Sequence, residues 1–328
     1  MHIPENYLSP STCAVFIVAM LPIWKKAVDH VREEVPADKV PLIGVAAAFS
    51  FLAMMFNIPL PGGTTGHAVC GTLIAILFGP WSATLAVSIA LAIQAVFFGD
   101  GGILSFGANC FNMAFVLPFV GYGIYSAISS RVEGERGRMI GAAVGSYFGL
   151  VAAALLCAIE FGIQPLLFHD ASGAALYCPY PLSVSIPAMM LGHLTVAGLA
   201  EVGFTCAILA FLRGTAPSFG IETTEGSNRT LSTVIALVVA LVAATPLGLL
   251  ATGDAWGEWG VEDLAEMVGY APSGLANGWE WSSLMPDYSL GSLPEWLGYV
   301  ISAVAGVALL VAIFRLLGEL MRPHVSFD

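Results

Sequence analysis

The residues best equipped for chemistry are Met1 and His2, taken together with the loop Pro61-Gly-Gly-Thr-Thr-Gly-His67 between two apolar stretches. A terminal amine followed by histidine is a chelator. The amine and the His2 backbone nitrogen close a five-membered ring on a metal ion, and that nitrogen and the imidazole Nδ1 close a six-membered one. Three nitrogens then share a plane, and a fourth completes the square that Ni(II) and Cu(II) take with nitrogen donors. His67 is the candidate for the fourth, because the glycines before it let main chain pass close to another part of the fold. The competing readings are a frayed terminus and a histidine that is only a satisfied polar group.

Composition sets the surroundings. The chain has 328 residues, 57% hydrophobic and 10% charged, with a formal net charge of −12; soluble domains carry about a quarter charged residues. This is the profile of an integral membrane protein. No alternating ten-residue pattern announces a barrel, so the backbone must satisfy itself within helices, and the expected fold class is an all-α integral membrane protein. Cys13, Cys70, Cys110, Cys157, Cys178 and Cys206 are scattered without C-x-x-C spacing and read as small hydrophobes, with Cys178 alone in a polar loop.

Apolar segments at about 8–24, 41–60, 68–79, 82–98, 109–130, 139–163, 185–212, 231–252 and 295–320 give about nine transmembrane helices. Segment 68–79 falls short of the roughly 20 residues a crossing needs. The loop ending at His67 is therefore expected to dip into the membrane and lie buried in protein. All eleven Lys and Arg fall on one side of a nine-span arrangement: Lys25, Lys26, Arg32, Lys39, Arg131, Arg136, Arg138, Arg213, Arg229, Arg315 and Arg322. That side is cytoplasmic by the positive-inside rule. The amino terminus, the 61–67 loop and the 253–294 loop then face outward, and the carboxyl terminus is cytoplasmic. The first span reads as retained, because its basic pair follows the apolar run. The outward loops lack Lys and Arg, and the longest carries Asp254, Glu258, Glu262, Asp263, Glu266, Glu280 and Asp287. Such a surface concentrates cations or is simply a solvated loop. Trp256, Trp259, Trp279 and Trp281 in it suit interfacial anchoring.

The opening Met1-His-Ile-Pro-Glu-Asn-Tyr-Leu-Ser-Pro10, the 61–67 loop, Gly79-Pro-Trp81, Phe98-Gly-Asp-Gly-Gly102, Gly107-Ala-Asn-Cys-Phe-Asn-Met113 and Gly192-His-Leu-Thr-Val-Ala-Gly-Leu-Ala-Glu201 together resemble the CbiM/NikM family. Its members are the substrate-binding components of energy-coupling-factor transporters for cobalt and nickel. The resemblance implies a metal-binding membrane domain over 1–213, with the metal held by the Met1 amine, the His2 backbone nitrogen and side chain, and His67. It implies ATP-driven import with a transmembrane coupling (T) component and ABC ATPase subunits in the cytoplasmic (inner) membrane of a prokaryote, and cobalamin biosynthesis as one consumer of the cobalt. A cytoplasmic linker at 214–230 and a region at 231–328 follow. Ala255-Trp-Gly-Glu-Trp-Gly-Val-Glu-Asp-Leu264, Met285-Pro-Asp-Tyr288 and Leu297-Gly-Tyr-Val-Ile-Ser-Ala-Val-Ala-Gly306 make that region similar to the small two-helix accessory (NikN/PDGLE-like) component of such systems.

Polar groups within spans are costly and are functional candidates. Gln94, Asn109, Asn112 and His193 fall near the outward ends and are read as groups that orient His67 or brace the amino terminus; Glu201 lies farther in. Interhelical hydrogen bonding alone is the alternative for all five. His193 and Glu201 do not form H-E-x-x-H, and no phosphate loop is present, so the chain is expected not to be an enzyme and not to supply ATP energy itself. It needs no cofactor; Ni(II) or Co(II) is its transported substrate, with a planar site favouring nickel. Copper binds such a site more strongly on intrinsic affinity. The rival reading is a membrane metal sensor or chaperone that binds divalent metal without transport. His169 would be outward, and His30 and His324 cytoplasmic.

Overall fold

The structure is a computed structural model describing residues 1–215 and 228–321. Most of the expected 214–230 linker, together with Arg322 and His324, lies outside the described residues. Helix α1 spans Pro10–Glu34, α2 Val40–Met54, α3 Gly71–Phe78, α4 Pro80–Ile93, α5 Phe106–Asn109, α6 Leu117–Ser129, α7 Gly134–Leu167, α8 Leu182–Gly192, α9 Gly198–Thr215, α10 Asn228–Ala244, α11 Val261–Val268, α12 Ser273–Ala276 and α13 Glu295–Leu320.

Among the described residues, seven helical runs are long and apolar enough to cross a membrane: Pro10–Glu34, Pro80–Phe98, Phe106–Ser129, Gly134–Leu167, Leu182–Thr215, Ser232–Leu250 and Glu295–Leu320. Each expected apolar segment has a helical counterpart, and the two that are short are α2 and α3. They flank the 61–67 loop. Helix α2 is buried almost throughout, as a helix that is apolar on every side must be. Helix α1 instead exposes Val15, Val18, Leu21 and Val28, a lipid-facing surface. Its start is fixed by Ser9, whose hydroxyl accepts the Thr12 amide at 3.1 Å, and by Pro10 in the first turn.

Two local features depart from a plain helical reading. Residues 58–66 form a small antiparallel hairpin, β1 Ile58–Leu60 and β2 Thr64–Gly66, in the register Ile58↔Gly66 and Leu60↔Thr64. Gly62 and Gly63 turn it at φ of +94° and +81°, a region side chains resist. Three helical runs also contain wide π-helical turns, at Gln94–Phe98, Cys110–Val116 and His193–Ala197. Each of them contains one of the polar residues singled out from the sequence.

The loops expected to face outward gather at one end of the bundle. Cys178 N donates to Tyr7 O, Thr65 N to Asp254 O and Met285 N to Phe97 O, at 2.9–3.1 Å. Elsewhere, Arg213 pairs with Glu135 and Lys26 Nζ lies 4.6 Å from the centre of the Trp81 ring. Helix α13 packs on α2, where a side-chain carbon on Gly44 would meet Phe314 Cβ at 2.6 Å.

Helices α6 and α7 pack closely at Gly121 and Gly145. A Cβ on Gly145 would stand 2.4 Å from the Gly121 carbonyl oxygen, so only backbone movement relieves the clash. Gly145→Val is expected to destabilise the protein by about 1–3 kcal/mol, read as a lowered thermal midpoint in detergent.

Candidate metal centre

The first nine residues are threaded into the protein: Met1, His2 and Ile3 are buried. Buried main chain needs partners, and the 99–109 segment supplies them. Ile3 N donates to Asn109 Oδ1 at 2.7 Å, while Asn109 Nδ2 and Gly102 N donate to Ile3 O at 3.1 and 2.8 Å. The Glu5 carboxylate accepts the amides of Ile103 and Leu104. Gly102 is required there, since a Cβ would sit 2.7 Å from Glu5 N. Farther along, Tyr7 OH donates to Trp259 O at 2.7 Å and Ser9 N to Gln164 Oε1 at 3.0 Å.

This cradle delivers His2 to His67. His2 Nδ1 and His67 Nε2 stand 3.3 Å apart, with ring centroids separated by 5.0 Å. Metal–nitrogen bonds of about 2.0 Å put adjacent corners of a square about 2.8 Å apart, so half an ångström of closure suffices. His67 Nδ1 lies 3.2 Å from Ala68 O; donation there leaves the Nε2 lone pair free. Below it, Glu201 Oε2 accepts the amides of Val69 and Cys70 at 2.6 and 3.0 Å, fixing the main chain just past His67.

Carboxylates hold the remaining donors. The Met1 amine is 3.1 Å from Glu258 Oε1, and His2 Nδ1 is 3.0 Å from Asp100 Oδ1. Asp100 Oδ2 accepts from Tyr288 OH at 2.5 Å and from Gln94 Nε2 at 3.2 Å. Burial works against the charged amine, yet Glu258 outweighs it and raises the amine above its ordinary value of 8.0. Burial likewise works to raise Asp100, but His2, His67 and Tyr288 hold it below the usual carboxylate range. His67 is pushed well down by burial and by the charges of the amine and His2, so it stays neutral, the form in which imidazole ligates metals.

Met1, His2 and His67 are thus brought together, Asn109 braces the amino terminus, and Gln94 reaches His2 through Asp100. Asn112 instead donates to Glu160 Oε2 at 2.9 Å, and His193 Nδ1 lies 2.8 Å from Met189 O on its own helix. Sequence reasoning missed Asp100, Tyr288 and Glu5 as site residues. Asp100 and Tyr288 stand in the quoted Phe98–Gly102 and Met285–Tyr288 motifs, and that was their only signal. Among the described residues no three His, Cys, Asp or Glu side chains gather into a metal cluster; the nitrogens that converge are the Met1 amine, His2 Nδ1 and His67 Nε2.

The raised amine gives a pH dependence with a definite sign. Its contribution to stability is complete below pH 8.0 and is lost as pH rises through its folded value. The thermal midpoint of the metal-free protein is expected to fall above about pH 8, and to fall less in Glu258→Gln; parallel thermal scans across alkaline pH check this.

Comparison with known proteins shows the family. A family model described as the cobalt uptake substrate-specific transmembrane region matches residues 2–219, and a PDGLE domain model matches 231–323. A probable fused nickel transport protein, LarMN, of Lactiplantibacillus plantarum is 45% identical over 323 residues, 96% of this chain and 97% of the relative. The fused nickel transport protein NikMN of Rhodobacter capsulatus is 48% identical over 332 residues, 95% of each. A solved crystal structure of a transition metal transporter is 52% identical, with a TM-score of 0.61 covering 65% of this chain and 93% of that one. The relatives are transport proteins, not enzymes, and the chain, a multi-pass membrane protein, belongs to the CbiM family in its fused form with a PDGLE domain.

Proposed function

We propose that the protein captures Ni(II) or Co(II) at the outward face in a four-nitrogen site and delivers it for ATP-driven import. The observation that carries this reading is the 3.3 Å approach of two buried imidazoles beside the amine of the same chain. The Met1 amine, the His2 amide nitrogen, His2 Nδ1 and His67 Nε2 take successive corners of the square. Binding releases the proton of the ammonium, that of the His2 amide and the Nδ1 proton with which His2 faces Asp100, and the ion displaces the contacts to Glu258 and Asp100. A planar field with an ionised amide favours Ni(II) over Co(II).

Residues 1–213 form the metal-binding unit, 214–230 the cytoplasmic linker and 231–328 the accessory region. Asn109 and Gln94 act by holding the terminus and Asp100 in place. Asn112, which donates to Glu160, and His193, which meets Met189 O, act through helix packing. With no phosphate loop in the chain, energy comes from ABC ATPase subunits through a transmembrane coupling component, as in energy-coupling-factor transporters. The names of the relatives, fused nickel transport proteins, support nickel as cargo.

Calorimetric titration of the metal-free protein with Ni(II) and Co(II) tests the site. A variant with one residue added before Met1 moves the amine and leaves both imidazoles in place. Affinity is expected to fall more than about a hundredfold in that variant and in His67→Ala, a larger loss than removal of a supporting group causes. Unchanged binding in the extended variant overturns the assignment. Co-purification with coupling and ATPase subunits tests the import role; failure to form that complex favours a sensor or chaperone.

A further inference from the structure

The last carbonyls of a helix have no partner within it, and the membrane-length run Pro80–Phe98 ends with two such groups beside a segment of the 253–294 loop. Trp281 Nε1 donates to Val96 O at 3.0 Å and Met285 N to Phe97 O at 2.9 Å. On the other side, Asn6 Nδ2 donates to Trp279 O at 2.9 Å. Residues 279–285 therefore form a strap tied both to the end of a span and to the amino-terminal segment. Gly278 is required where the strap meets that segment, since a Cβ there would stand 2.1 Å from Asn6 Cγ.

The strap leaves large apolar groups uncovered. Trp279 and Trp281 stack with ring centroids 6.0 Å apart, each is 45% exposed, and Leu284 is 73% exposed. An exposed cluster of this kind marks a contact surface, and two observations say with what. The first is its level. The bond to Val96 sets the aromatic pair beside the last turn of a span, where Val96 is itself exposed, and Trp296, exposed in the first turn of α13, begins another span from the same loop. Tryptophan favours that level, with its ring toward acyl chains and its N–H on an acceptor. The second is charge: no Lys or Arg occurs from 230 to 314, so the loop has no cation with which to grip an acidic partner or a headgroup phosphate.

We propose that residues 279–284 are a membrane anchor, with Trp279, Trp281 and Leu284 seated in the bilayer interface at this end of the bundle by apolar and aromatic contact. The patch adjoins lipid-facing surface at Val96, and burial of its rings and leucine among headgroups and upper acyl chains removes them from water. These residues lie in the stretch matched by the PDGLE domain. The fused region thus meets the membrane through its loop as well as through α10 and α13, and the bilayer holds the strap down on Val96, Phe97 and Asn6. The anchor is independent of the four-nitrogen reading.

The test uses the full-length protein in phosphatidylcholine vesicles whose acyl chains carry a photoactivated diazirine either near the glycerol or at the methyl end, with labelled peptides mapped by mass spectrometry. The peptide holding 279–284 is expected to take up the shallow label about threefold or more in excess of the deep one, and equally at low and high salt, since charge plays no part. Exposed residues of α1, such as Val18, serve as the lipid-contact reference in the same sample. A second measurement compares tryptophan emission of the parent with that of the conservative double variant Trp279→Phe, Trp281→Phe. The emission lost in the variant is expected to be quenched by a nitroxide near the glycerol and little by aqueous iodide. Absence of the shallow label from 279–284 while α1 is labelled overturns the proposal, because water or protein then covers the patch. Labelling that vanishes at high salt, or emission of the pair quenched by iodide and not by the lipid nitroxide, overturns it as well.

Discussion

The structure depends on burying a charged amine. An unpaired ion withdrawn from water costs several kcal/mol, and the Met1 ammonium is inserted until its side chain is 1% exposed. Glu258 makes this tolerable through charge, and the 99–109 segment through main-chain hydrogen bonds. Everything nearby follows from that insertion. It needs a glycine at 102 so that the Glu5 main chain can pass, an asparagine at 109 that both donates to and accepts from Ile3, and a carboxylate brought from the far end of the sequence.

The three π-helical turns belong to the same economy of space. A wide turn displaces the helix register by one residue and redirects side chains at that point, and such turns favour functional sites. At Gln94 the turn leaves the amide free to reach Asp100 and Tyr288; at Cys110–Val116 it carries Asn112 toward Glu160. The hairpin has a comparable effect on the other side. It pins the approach to His67 by sharing a main-chain hydrogen bond with Asp254, so both histidines are held by connections to the carboxyl-terminal region.

The helical architecture was legible because lipid tolerates few alternatives, and apolar runs report it directly. Met1, His2 and His67 were legible because chelate-ring size depends only on covalent connectivity and one glycine-rich loop. Asp100 was not: a carboxylate among glycines looks like a turn until Gln94, from the preceding helix, and Tyr288, 188 residues on, are seen to share it. Glu201 reads from the sequence as a polar candidate in a span that lies farther in than the others. It matters because α3 begins only at Gly71, so the main chain after His67 descends to meet it. The hairpin went unseen because strands of three residues, one containing Pro59, leave almost no pattern.

The ion pair between Met1 and Glu258 also bears on how the molecule comes into being. Its partners are separated by 257 positions, and chains made at a ribosome grow from the amino end. The terminal chelator therefore emerges first, while Glu258, which docks it, and Tyr288, which holds Asp100, arrive only when more than three quarters of the chain has been inserted. Until then the amine lacks Glu258, the strongest of the charges that favour its burial. Assembly of the site is thus a late event in biogenesis, and the completed pocket reports that the fused region has reached its place.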